Sequence, residues 1–189
     1  MSSPVENRWC RLIEDARGIA AIEFALVAPL FALILAGSLD LGLLLFSRFQ
    51  LEAAVSDSAS YAMVHTDQVD STNGDDLAAK MATIIAGGIA SSETHAEIVV
   101  NNGAKADYDG TKIKLSGAAS QSNSCYCPTG GAWTLNWGGV RSCGTSCPGG
   151  TIGGKYVVIT VKQAYAPLFT SYGMVKDGFL YASAVVQTK

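Results

Sequence analysis

The chain has 189 residues, a formal net charge of −3, and only 15% charged residues against 49% hydrophobic ones. That balance excludes a disordered polyelectrolyte, which needs low hydrophobicity, and a basic nucleic-acid binder, which needs a positive field. It leaves room for one modest folded core beside any membrane segment.

Residues 1–18 read as a polar head with Pro4, mixed charges and no sustained apolar period, so little fixed structure is expected there. From Phe24 to Phe46 every residue is apolar or small except Ser38 and Asp40. As a helix at about 1.5 Å per residue this run is roughly 34 Å long, enough to cross a hydrocarbon core of about 30 Å. One transmembrane span is therefore predicted over about 24–46. Arg8, Arg11 and Arg17 precede it and only Arg48 follows closely, which places the amino terminus in the cytoplasm and the rest of the chain outside it. Pro29 removes a backbone hydrogen bond and crowds the carbonyl of Ala25. Its two readings are a kink near that point and simple tolerance, as in other membrane helices.

An acid in such a run costs on the order of a few kcal/mol unless it is paired or neutralised. Glu23 stands at the edge of the run, five residues after Gly18. A cut after Gly18 would put a new positive terminus on Ile19, one helical turn from the Glu23 carboxylate. The plainer reading leaves Glu23 snorkelling from an uncleaved anchor. Removal by an ordinary signal peptidase fits less well, because the run exceeds the usual h-region and lacks a good small-x-small site before a polar start. Asp40 lies seventeen residues from Glu23, on a different helix face. With Gly37, Ser38 and Gly42 around it, another backbone can come close, so an intramembrane helix contact is expected at Gly37, Asp40 and Gly42.

Beyond Phe46, Leu51, Val55, Ala59 and Ala62 form one stripe, which predicts that the helix continues to Val64 as an amphipathic stalk, or bends near Ser47 into a second helix. Residues 65–74 read as a loop, and Asp75-Asp76 open a second helix from Leu77 to about Ile89. Residues 96–116 read as a small antiparallel meander, with Asn102-Gly103 and Asp109-Gly110 as two-residue turns. Asp107 and Asp109 lack the remaining ligands of a calcium loop.

Residues 116–154 form a long insertion rich in Gly, Ser and Asn. It holds Cys125, Cys127, Cys143 and Cys147, and two disulfides are the default for an exported segment. The two cysteines of the C-x-C pair bond poorly to each other, so links between the CYCP and CGTSCP halves are favoured, with the pairing left open. Zinc is the sharper alternative, but the spacing is unusual for it. Trp133 and Trp137 read as an adhesive or subunit-contact surface, or as covers for a disulfide. Gly149 to Lys155 satisfies G-x₄-G-K, yet Tyr156 stands where a phosphate loop needs Ser or Thr. Two strands are predicted in the tail, Lys155 to Tyr165 and Gly178 to Val186, the first with one buried face. His65 and His95 lie in or beside polar loops with no nucleophile motif, so no catalytic residue, metal or cofactor is expected and the protein is not read as an enzyme.

The stretch RG-IAAIEFALVAPLF from Arg17, followed by Gly37, Asp40, Gly42 and Glu52-Ala53-Ala54, resembles the TadE/TadG-like family of tight-adherence (Flp, type IVb) pilus assembly proteins. Gly18 followed by Glu23-Phe24 is similar to the prepilin-peptidase site of type IV pilins. The resemblance covers residues 17–64 and extends more weakly to YVVITVKQAYAPLF and LYASAVVQTK. It implies an α+β, pilin-like fold: a long hydrophobic helix over 19–64, then an extracytoplasmic domain over 65–189 with a small antiparallel sheet. It further implies cleavage between Gly18 and Ile19 and loss of residues 1–18. Glu23 and Phe24 would serve processing and assembly, Glu23 neutralising the amino terminus of a neighbouring subunit. The implied partners are prepilin peptidase, other pilins or pseudopilins, the inner-membrane assembly platform and membrane lipid, with no nucleic acid. The implied function is that of a minor pilin or pseudopilin in the bacterial inner membrane, passing into the pilus. An unprocessed single-span scaffold of the same machine is the alternative.

Overall fold

A computed structural model describes residues 17–89, 91–169 and 173–189. The readings made on residues 1–16, including the polar head, Arg8 and Arg11, lie outside the described residues. Helix α1 spans Arg17–Val64, 48 residues, and continues through Pro29 and past Ser47. The chain divides into two compact units, one ending at Leu43 and one running from Leu44 to Lys189.

In the first unit α1 is apolar and outward-facing. Ile22, Phe24, Leu26, Val27, Leu30 and Phe31 are each more than 60% exposed. Among the described residues this is the one helix long and apolar enough to cross a membrane.

In the second unit the expected stripe is buried. Leu51, Val55, Ala59 and Ala62 go into the core, joined by Ala54 and Ser58. Helix α2, Gly74–Gly88, carries Asp75 and Asp76 in its first turn, where the amide ends favour acids. It buries Leu77, Ala78, Met81, Ala82 and Ile85. The two helices touch through small groups. The Ser58 hydroxyl donates to the Met81 carbonyl at 3.4 Å, and a Cβ placed on Gly88 would stand 3.1 Å from that of Ala54. The contact with Gly88 falls earlier in α1 than the contact with Met81, so α2 runs antiparallel to α1.

Five strands follow: β1 Thr94–Val100, β2 Ala104–Tyr108, β3 Ile113–Gly117, β4 Tyr156–Ala164 and β5 Phe179–Gln187. They form one antiparallel sheet in the order β3-β2-β1-β4-β5. The register sets Ile98 opposite both Ala106 and Ile159, and Ile159 opposite Ala184. Alternation then puts Ala96, Ile98, Val100, Val157, Ile159 and Val161 on one face, in a single core with the helix residues. Each fully buried Leu, Ile or Val contributes about 1.5–3 kcal/mol. The fold is α+β, as expected.

Two local expectations are corrected. Asn102-Gly103 is not a two-residue turn: Val100 pairs with Ala104 across three residues, and Asn101 and Asn102 take left-handed φ of 49° and 56°. Gly103 is required for a different reason, since a Cβ there would stand 2.2 Å from the Ser122 hydroxyl oxygen. Similarly, Tyr108 pairs with Ile113 across the four residues 109–112. There the Asp109 carboxylate accepts from the Thr111 amide and hydroxyl and from the Lys112 amide. That network closes the turn.

A further correction concerns β4, where one buried face was expected. Val158 is 4% exposed and Thr160 9%, so both faces are covered. The cover is the Cys-rich insertion, which brings Trp133 and Trp137 onto the face opposite the helices, beside Val158 and Thr160. Sequence alternation records polarity and cannot record a cover donated by a distant loop.

The insertion has its own order. Short 3₁₀ turns occupy Ala119–Asn123 and Ala132–Thr134, and isolated bridges join Cys125 to Arg141, Tyr126 to Gly154 and Thr129 to Asn136. Disulfides link Cys125 to Cys143 and Cys127 to Cys147, both between the two halves. The four cysteines of the insertion are thereby all paired as cystine. Buried Asn101 clasps both ends of the insertion. Its amide group donates to the carbonyls of Ser122 and Ser124, its Oδ1 accepts from the Tyr156 amide, and its own backbone amide donates to the Tyr156 carbonyl.

Candidate functional site

The residues singled out in the amino-terminal segment all lie on α1, and the helix period decides what each presents. The Gly18–Ile19 bond is in its first turn. Glu23 follows Ile19 by four residues and is exposed, and Phe24 beside it is 73% exposed. An acid one turn from the proposed new terminus is thus held by regular helix geometry, with about 1.5 Å of rise per residue between them. Contiguous apolar exposure of this extent is foreign to a water-facing surface and marks a face made for lipid or for other helices.

Farther along, Ser38 donates back to the Leu35 carbonyl at 2.8 Å, satisfying its hydroxyl within the helix. A Cβ on Gly37 or on Gly42 would meet nothing within 4 Å among the described residues. Neither glycine answers to a packing need within the described chain. Asp40 between them is 3% exposed. Arg48 pairs with Glu52 at 2.9 Å, one turn along the same helix, both side chains being more than 40% exposed. An exposed pair of this kind is worth only about 0.3–0.5 kcal/mol.

His65 stacks on Tyr61 with ring centroids 4.0 Å apart, and its Nδ1 lies 2.9 Å from the Tyr61 carbonyl, so it closes the end of α1 instead of standing in solvent. His95 is exposed on β1. Among the described residues no group of three or more His, Cys, Asp or Glu is placed to hold a metal ion. Lys155, the lysine of the G-x₄-G-K match, donates to the Val69 carbonyl and leads into strand β4, not a helix. Partial burial pushes its ammonium below the usual lysine range, with the Asp70 carboxylate opposing that shift.

Sequence reasoning missed three features: the Asn101 clasp, the Gly88 contact with Ala54, and the pairing of Lys105 Nζ with Glu97 Oε1 at 2.7 Å on the sheet face beneath the insertion. Only the first had a signal, two consecutive asparagines before a glycine at the end of an apolar strand.

Comparison with known proteins places the matched region on this helix. Residues 18–60 match the family model described as TadE-like protein. No curated protein and no solved structure matches the chain.

Proposed function

The amino-terminal segment of this chain is TadE-like, and from that premise we propose that the protein is a minor pilin or pseudopilin of a tight-adherence pilus. A prepilin peptidase cuts between Gly18 and Ile19. Before assembly the span sits in the bacterial inner membrane, amino terminus inside and the domain of 65–189 in the periplasm. The protein then helps to initiate or build the filament with other pilins and the assembly platform. Its role is structural, not enzymatic.

The observation that carries this reading is the exposed apolar surface of α1 with Glu23 one turn beyond Ile19. That surface is suited to two dry environments, the bilayer and a core of sibling helices. Only the second offers Glu23 a cationic amino terminus. A difference of this kind between two states is what drives transfer from one to the other. In the filament, Gly37 and Gly42 form a close helix contact, consistent with the open space around both glycines, while Asp40 between them is already covered within the chain.

The test is intact mass and amino-terminal sequencing of the protein from cells with and without prepilin peptidase. A mature start at Ile19 that depends on the peptidase is expected, together with recovery of the protein in sheared filaments. A terminus at Met1 or Ser2 in both strains overturns the reading and leaves an unprocessed single-span scaffold.

A further inference from the structure

The face of the sheet opposite the helices carries a cleft that the pilin reading does not use. Trp133 stands over it as a wall. On one side is a hollow of about 390 Å³ lined by Glu97, Asn102, Lys105, Thr160 and Trp137. On the other is a hollow of about 330 Å³ that shares Glu97 and Thr160 and adds His95, Asp107, Lys114 and Lys162. Each is within the size range of small-ligand sites, about 300–1,000 Å³.

The indole of Trp133 is fixed but not covered. Tyr181 meets it edge-on, with centroids 5.2 Å apart and planes at 83°, while Trp133 remains 47% exposed. Behind it, Trp137 is braced against Tyr126 at 5.7 Å, close to the disulfide at Cys125. A large ring held in place at the mouth of a cleft is a preorganised stacking surface.

The charges around it cancel. Glu97, Asp107 and Asp109 face Lys105, Lys114 and Lys162, three of each sign. Lys105 is already paired with Glu97 at 2.7 Å, and Lys114 lies 4.0 Å from Asp109. An ionic ligand would find no net field and would have to compete with these pairs. A neutral ligand bearing many hydroxyls would not: carboxylates keep spare acceptor positions, ammonium groups spare protons, the Asn102 amide offers both, and the Thr160 hydroxyl, whose proton goes to the Glu97 carbonyl at 3.4 Å, keeps acceptor capacity. The positively polarised C–H face of a pyranose ring matches the negative face of the indole.

We infer that this cleft binds a neutral oligosaccharide, with one ring stacked on Trp133 and adjoining rings in the hollows on either side. The site is independent of whether the chain is processed or enters a filament.

The test uses the full chain in lipid nanodiscs, free of sugar detergents. Tetrasaccharides of glucose, of galactose and of N-acetylglucosamine are titrated, with a sulfated tetrasaccharide for comparison, following tryptophan fluorescence and ligand-observed NMR. At least one neutral probe should saturate and bind more tightly than the sulfated one. Trp133→Ala and Glu97→Gln should each weaken it about tenfold or more, while Trp133→Phe weakens it less. Glu97→Gln keeps the shape of the site and decides the matter if Trp133→Ala unfolds. The inference fails if no neutral probe saturates by about 10 mM. It fails equally if the sulfated probe binds best, or if a folded variant binds like the parent.

Discussion

Gly88 of α2 lies directly against Ala54 of α1, so that a Cβ on the glycine would stand 3.1 Å from the alanine methyl. The missing side chain lets the helices approach more closely there than an ordinary pair of Cβ atoms would. Gly88→Val should therefore force them apart and cost about 1–3 kcal/mol by overpacking. Thermal unfolding of the full chain checks this, and an unchanged midpoint would mean that the contact is soft.

Gly37 and Gly42 are the opposite case, with open space around both. Gly37→Leu and Gly42→Leu should leave membrane accumulation and folding of the monomer unaltered, since a Cβ at either position meets nothing within 4 Å among the described residues. Loss of the close helix approach should reduce recovery in sheared filaments about tenfold, equivalent to about 1.4 kcal/mol per subunit contact. Filament recovery equal to the parent would show that this face is not used.

Glu23→Ala removes the carboxylate that would meet a neighbouring terminus. The protein should still be found in the membrane fraction, because an apolar replacement only favours the span. Incorporation into filaments should fall by an order of magnitude or more, on a pair worth about 1.4 kcal/mol or above. Normal incorporation of the variant would separate Glu23 from assembly.

The two disulfides close loops of 18 and 20 residues by sequence separation. Each should stabilise the insertion by about 3 kcal/mol through the entropy of the unfolded chain. Reduction should loosen Trp137 from Tyr126 and shift tryptophan emission, while the amides paired between β1 and β4 stay protected from hydrogen exchange. Simultaneous loss of that protection would show that sheet and insertion unfold as one.

The Asp109 turn predicts an acid limb. The Thr111 hydroxyl, then the Lys112 and Thr111 amides, hold the carboxyl down from 3.8 to about 2. A depressed carboxyl pKa stabilises the fold above the unfolded value, and this contribution fades as pH falls from about 4 towards 2. Carboxyl NMR titration should show the low value, and Asp109→Ala should flatten stability over that window. A titration near 4 in the parent would contradict the turn network.

The regular elements were legible because their periods are strong: the apolar run, the stripe through Leu51 and Ala62, the acids opening α2, and the alternation of Val157, Ile159 and Val161. What escaped has a common cause. The cover over Val158 and Thr160 and the Glu97–Lys105 pair depend on segments distant in sequence, which local pattern cannot encode. Asn101 in the left-handed region was hidden for a local reason. Asn-Gly normally marks a two-residue turn, and here the turn begins one residue earlier because Gly103 must admit Ser122. The candidate assembly residues were legible as chemistry, an acid and small residues in an apolar helix.

Asn101 belongs to the sheet, yet it holds the chain where the insertion departs, at Ser122 and Ser124, and where it returns, at Tyr156. The scaffold therefore fixes the two ends of this segment without specifying what lies between them. Surface diversification follows naturally from such an arrangement. The stretch between Ser124 and Tyr156 is then a grafting point for displayed sequence, on condition that what replaces it still covers Val158 and Thr160 on β4.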